Sequence, residues 1–412
     1  LPSSSAFTLL RQGDFRAFLG AAVLAGLAES ALAILLGVTV YQLTRDPLAL
    51  GWLGLVEAVP AIGLVLLGGH AADMLPRRVL LVGCRLAMAA LTAGIAVASV
   101  LAGERFLMLV YLLAFCIGIV RAFKDPAHTG LEAQVVPAER AVQAVSLMGT
   151  VTRAFRLVGP VAGGFLYEAA GPAATYGVIS VLLAASAAVL TRVPARPAPP
   201  RVVATGGMVA DIGEGLRHVY RDQVLFGSMA LDLFAVFFGG MVGLLPLFAD
   251  NLGAGADGVG IMRAVLAAGG LVALTITLRH PPQRRAGLAL LLAVGGFGVC
   301  VIGFGLSDSF ALSLCLLFAM GACDGVSVVV RHAIVRLAAP EHMRGRIAAV
   351  RMVFLNSANE LGDFESGVAA HLVGPALAVA GGGAITLAVV AITAAIAPRL
   401  RRLDLTRLRP ME

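Results

Sequence analysis

Between residues 16 and 397 the sequence is a succession of apolar runs, each long enough to cross a lipid bilayer. Few folds are open to such a chain. A spanning helix needs roughly 20 residues at a rise of about 1.5 Å each. Twelve segments meet that length: 16–43, 50–70, 79–102, 106–127, 141–167, 173–192, 223–249, 258–279, 286–306, 309–334, 346–372 and 376–397. In hydrocarbon every backbone N–H and C=O must find its partner within the protein, and runs this long satisfy that rule as helices. Turns as short as Gly103–Arg105 make consecutive helices antiparallel neighbours. Composition agrees: 59% of residues are hydrophobic and 13% charged, where soluble domains carry about 25% charge. The 49 glycines suit helices that approach closely.

An internal repeat runs through these spans. A shift of 203 residues carries Glu29 onto Asp232, Pro137 onto Pro340, Gly159 onto Gly362 and Gly164 onto Gly367. One offset thus aligns an acid in the first span of each half with a glycine-rich span near its end. Duplicated membrane bundles have this signature. The expected organisation is a six-helix bundle over 1–192, a linker over 193–222, a second six-helix bundle over 223–397 and a tail over 398–412.

Basic residues alternate from loop to loop. One side holds Arg77 and Arg78, Lys124 and Arg140, then Arg192, Arg196 and Arg201. It continues with Arg279, Arg284 and Arg285, then Arg336, Arg344 and Arg346, and the tail adds Arg399, Arg401, Arg402, Arg407 and Arg409. The other side has only Arg45 and Arg105. The positive-inside bias then places both termini in the cytoplasm of a prokaryotic inner membrane. The net charge of +7 is therefore topological, and nucleic acid is not an expected partner. The linker opens on Pro194, Pro197, Pro199 and Pro200, then spaces Ile212, Leu216, Val219 and Tyr220 as an amphipathic helix would.

Catalytic and metal chemistry find no support. The five cysteines lie singly in apolar runs and the seven histidines are scattered, so no metal is expected. There is no P-loop, H-E-x-x-H or G-x-S-x-G, which argues against ATP-driven pumping, a cofactor or an enzyme. The expected partners are a small-molecule substrate, protons and lipid, with the chain a monomer.

Ionisable residues inside spans are expensive and mark function. Glu29, Asp232 and Asp324 fall near mid-depth, Glu360 and Asp363 on the eleventh span, and Arg153, Arg156 and Arg351 towards the inner half. The 203 shift sets Arg121 against Asp324, Arg153 against Asn356 and Arg156 against Asn359, so the halves carry different charge at matched positions. An acid desolvated in this way can bind and release a proton near neutral pH. Glu29, Asp232, Asp324, Glu360 and Asp363 are the coupling candidates. Arg153 and Arg156 are candidates for contact with an anionic cargo.

Three motifs resemble a known family. Gly69 to Arg78 resembles the G-x-x-x-D-(R)-x-G-R-R/K signature of the major facilitator superfamily, with Gly69, Asp73, Arg77 and Arg78 in place, and Met74 and Pro76 departing from it. Gly159, Pro160, Gly163 and Gly164 form G-P-x-x-G-G, similar to the antiporter signature of that superfamily's exporters. The stretch from Asn356 to Gly367, with Gly374 and Pro375, resembles the N-E-L-G-(E/D)-F-E-S-G…G-P segment of enterobactin-exporter-like members. The resemblance implies an all-α fold of two pseudo-symmetric six-helix bundles and a cytoplasmic gate latch at the first motif. It also implies proton-coupled export of a siderophore or amphipathic small molecule. A broad multidrug pump is the alternative, for which Met229, Phe234, Phe237, Phe238 and Met241 would supply an adaptable apolar wall.

Overall fold

The computed structural model describes residues 11–136, 141–196, 216–217, 219–220, 222–338 and 344–406. Most of the linker, Pro137 and Pro340 lie outside the described residues. The described chain is all helical: α1 Gly13–Thr44, α2 Pro47–Gly63, α3 Val65–Met74, α4 Arg77–Leu101, α5 Phe106–Val135, α6 Ala141–Leu190, α7 Gln223–Phe238, α8 Leu245–Asn251, α9 Ala256–Arg279, α10 Ala286–Gly305, α11 Phe310–Ala338, α12 Arg344–Val373, α13 Pro375–Ile396 and α14 Pro398–Arg401.

Among the described residues eight helices are long and apolar enough to cross a membrane, and nine with the bent pair α2–α3, against twelve expected segments. The difference has local causes. α2 and α3 are bent by 45° at Leu64, one turn beyond Pro60, whose ring removes a backbone donor. α6 is 50 residues long because two helices meet at Gly171, whose backbone is not helical. α7 stops at Gly239 and resumes as α8. α12 carries too much acid to pass as an apolar span.

Gly171 adopts φ 77° and ψ 176°, and Pro172 follows. Gly374 adopts φ 87° and ψ 153°, and Pro375 follows. The pairs are 203 residues apart, so the repeat extends to backbone conformation. A positive φ suits glycine, and proline presets the first turn of the next helix.

The chain divides into two compact units, each holding a short piece of the other half of the sequence. Unit 1 comprises Leu1–Arg45, Leu53–Arg201 and Ala249–Ala264; unit 2 comprises Asp46–Trp52, Val202–Phe248 and Val265–Glu412. The core of unit 1 gathers Phe15, Phe18, Leu81, Leu131 and Met148. That of unit 2 gathers Leu225, Leu231, Leu290, Ile334 and Leu400.

The glycines matched by the repeat do matching work. In unit 1 a side chain at Gly159 would press into Ser30 and the Leu27 carbonyl, and one at Gly164 into the Ala256 carbonyl. In unit 2 a Cβ at Gly362 would lie 2.6 Å from the Phe237 carbonyl, and one at Gly367 would lie 2.7 Å from Gly51 Cα. Both units therefore use backbone-level helix crossings, where dispersion takes the place of the hydrophobic effect.

Candidate functional site

In unit 1 the charge converges on Glu29. Its helix is pinned at that depth by neighbouring residues: the Phe155 ring lies on Gly26, and Ser30 Oγ donates to the Phe155 carbonyl at 3.0 Å. Gly159 closes the contact from α6. Glu29 faces the other way, towards α4 and α5. Its Oε1 accepts from Arg85 Nη1 and its Oε2 from Lys124 Nζ at 2.7 Å. Lys124 Nζ also lies 3.2 Å from Asp125 Oδ1. The Arg85 side chain is 5% exposed, Lys124 10%, Glu29 25% and Asp125 65%. A chain of alternating charge thus runs from the exposed Asp125 through Lys124 and Glu29 to the buried Arg85.

Lys124 was expected in a loop as a topology marker, and it corrects that reading. It lies within α5, buried, because Glu29 supplies a carboxylate at contact distance. A buried ammonium without such a partner would cost several kcal/mol. One turn before it, Arg121 Nη1 donates to Glu57 Oε1 at 2.5 Å, joining α5 to α2. One turn after it, the His128 ring packs on Phe18 at 5.3 Å between centroids.

In unit 2 Asp232 on α7 and Arg331 on α11 are 3% and 4% exposed and form an ion pair. Arg331 Nη2 also reaches Asp324 Oδ1 at 3.5 Å, and the Asp324 side chain is 54% exposed. Ser327 Oγ is buried beside this group and has no hydrogen-bond partner among the described residues. Asp363 on α12 accepts from the Gly243 N–H at 3.2 Å, holding the irregular stretch between α7 and α8. Glu360 lies on α12, and its side chain is outside the described residues.

The expected acids thus fall into groups: Glu29 with two cations, Asp232 and Asp324 sharing one arginine, and Asp363 on backbone. Arg153 and Arg156 are exposed on α6 and have no acidic partner among the described residues. The partners Arg85, Lys124 and Arg331 were not anticipated. Arg85 and Arg331 sit inside expected apolar spans, where a basic residue needs an acidic partner, and that was the available signal.

The first motif lies where α3 turns into α4. The close helix approach falls on Gly68, where a side chain would strike the Ala122 carbonyl, while Gly69 faces open space. Asp73 is paired at 3.7 Å with Arg77, the first residue of α4, and is largely exposed. Arg77 Nη1 donates to the Gly130 carbonyl at 2.9 Å and Nε to the Ala72 carbonyl at 3.4 Å, tying α4 to α5 and α3. Arg78 Nε is buried without a hydrogen-bond partner among the described residues. In the second motif all four residues meet close neighbours within unit 1: Gly159 and Gly163 lie on α1, Gly164 on Ala256, and the Pro160 carbonyl on Gly260.

Comparison with known proteins places the chain. The multidrug efflux pump Tap of Mycolicibacterium fortuitum is 27% identical over 416 residues, covering 97% of this chain and 99% of that protein. A bacterial homolog of the human lysosomal transporter Spinster, solved inward-facing and unoccupied, superposes with a TM-score of 0.71 at 13% identity over 100% of both chains. A POT family transporter in complex with 5-aminolevulinic acid gives 0.72 at 11%, covering 93% of this chain and 96% of that one. A D-xylose-proton symporter gives 0.68 at 15%, covering 98% and 99%. At these identities the solved structures share the fold alone. The profile of the Major Facilitator Superfamily matches residues 18–363, and the chain belongs to that family of membrane transporters.

Proposed function

We propose that the protein exports amphipathic small molecules by alternating access, driven by inward proton flow, across the cytoplasmic membrane of a prokaryote. The observation that carries this reading is Glu29: a carboxylate still 25% exposed, inside an apolar bundle, balanced against Arg85 and against Lys124, which also touches Asp125. A transporter that couples two cargoes needs one site whose charge state both can alter. Export rather than uptake is supported by the end-to-end similarity to Tap and by the tightly packed G-P-x-x-G-G helix. Broad substrate choice follows the same relative. Both termini are taken to be cytoplasmic from the loop arginines, and the two six-helix halves to rock as a monomer about a mid-membrane site.

The test is uptake of ethidium into everted membrane vesicles under an imposed pH gradient. Glu29→Gln is expected to lower gradient-driven uptake at least tenfold at equal protein level, about 1.4 kcal/mol or more of lost coupling. Full uptake with an unchanged pH profile would sink the reading. A dedicated siderophore exporter is the second reading, favoured by Arg153 and Arg156, which are exposed without acidic partners among the described residues and suit a catecholate anion. A catecholate siderophore run in the same vesicles separates the two, because only the second reading requires Arg153→Ala and Arg156→Ala to abolish its transport while sparing ethidium.

A further inference from the structure

Glu29 and Asp232 are equivalent in the repeat but not in their surroundings. Asp232 has a guanidinium, and the position equivalent to Lys124 is Ser327, while that equivalent to Arg85 is Leu288. Glu29 has two cations of different kinds. Arg85 is planar, buried and engaged with Glu29. Lys124 is a point charge on a flexible stem, and it touches two carboxylates at once, Glu29 at 2.7 Å and Asp125 at 3.2 Å. Removing a cation from a buried carboxylate is strongly destabilising when the cation has nowhere else to go. Here it has somewhere to go: Asp125 is already in contact and 65% exposed to solvent.

We propose that Lys124 is a movable counter-charge that yields Glu29 to an incoming positive group and retreats onto Asp125, while Arg85 stays. The inference deepens the exporter reading and rests on it for its purpose. The positive group is a proton or the charged end of an organic cation, and the two compete for one carboxylate. The other charged groups around Lys124 leave this exchange intact: Arg121 is engaged by Glu57, and His128 packs at a tilt on Phe18 one turn away. At Asp232 the arginine instead bridges Asp232 and Asp324.

The experiment measures equilibrium binding of tetraphenylphosphonium to the purified, detergent-solubilised chain, with no gradient present. Wild type is expected to bind more weakly as pH falls, since protons compete for Glu29. Lys124→Met removes the competitor and should tighten binding about tenfold. Lys124→Arg should weaken it, because a guanidinium grips a carboxylate with two prongs. Asp125→Asn removes the refuge and should weaken binding about fivefold; this residue is exposed, so the variant folds even if the buried ones do not. Wild-type affinity in Asp125→Asn, or no gain in Lys124→Met, overturns the proposal, as does absence of binding by wild type up to about 1 mM. Failure of gradient-driven transport with this ranking intact would instead refute proton coupling and leave the exchange standing.

Discussion

Truncating Arg331 to methionine leaves Asp232 at 3% exposure without its guanidinium. The pair is buried on both sides, and breaking such a pair costs about 3–5 kcal/mol. The reciprocal change, Asp232→Leu, strands Arg331 at 4% exposure, with the mostly exposed Asp324 at 3.5 Å as partial relief. Its cost falls in the same range, at the lower end. Replacing both, Asp232→Leu with Arg331→Met, removes two desolvation penalties together and fills the space with apolar atoms. Such swaps are often neutral or stabilising. The single variants should therefore unfold on the order of 10 °C below wild type in detergent, taking about 2–4 °C per kcal/mol. The double variant should return most of that, with a coupling energy above about 2 kcal/mol in the cycle. Thermal unfolding followed by thiol-reactive dye reads all four proteins, since five cysteines are available. Single variants within about 2 °C of wild type, or a double variant less stable than either, would refute the assignment of this pair as a fixed interior brace.

Gly164→Val drives a side chain into the Ala256 carbonyl and should cost about 1–3 kcal/mol by overpacking, whereas Gly177→Ala, facing open space, should fall within about 0.5 kcal/mol of wild type; thermal shifts compare them. Asp222 accepts from the N–H groups of Val224 and Leu225 at 2.8 and 2.9 Å, so Asp222→Ala should lower stability by about 1 kcal/mol through loss of the α7 cap. Tyr176 is fully buried with its hydroxyl 2.7 Å from Thr39 Oγ1, and Tyr176→Phe should cost about 1–2 kcal/mol in the same melt, because Thr39 keeps only its 3.0 Å contact to Tyr167.

Much of the bundle was legible in the sequence because lipid imposes a length and a polarity on each crossing. Glycines 159, 164, 362 and 367 were legible as well, since a repeated small residue in a span signals close packing. The breaks at Leu64 and Gly239 were not, because an apolar run reads the same whether its helix is straight or broken. The ion pairs were the least legible part. Lys124 reads as a loop charge because lysine normally marks a membrane edge, and the carboxylate that holds it buried within α5, Glu29, comes from a different helix. Arg85 and Arg331 lie 56 and 99 residues from their acids, and helix spacing within one segment says nothing about which neighbour it meets.

The two glycine–proline turns at 171–172 and 374–375 carry a practical consequence. Each reverses the chain between crossings without any intervening loop, so there is no slack there for a protease to nick or for an inserted tag to occupy. An epitope placed at either turn would have to unwind a helix end to be accommodated. Topology mapping by insertion should therefore read those two ends as silent, and the sidedness of the chain is better probed at Arg45–Asp46 and Gly253–Ala254, where the backbone already leaves the helix.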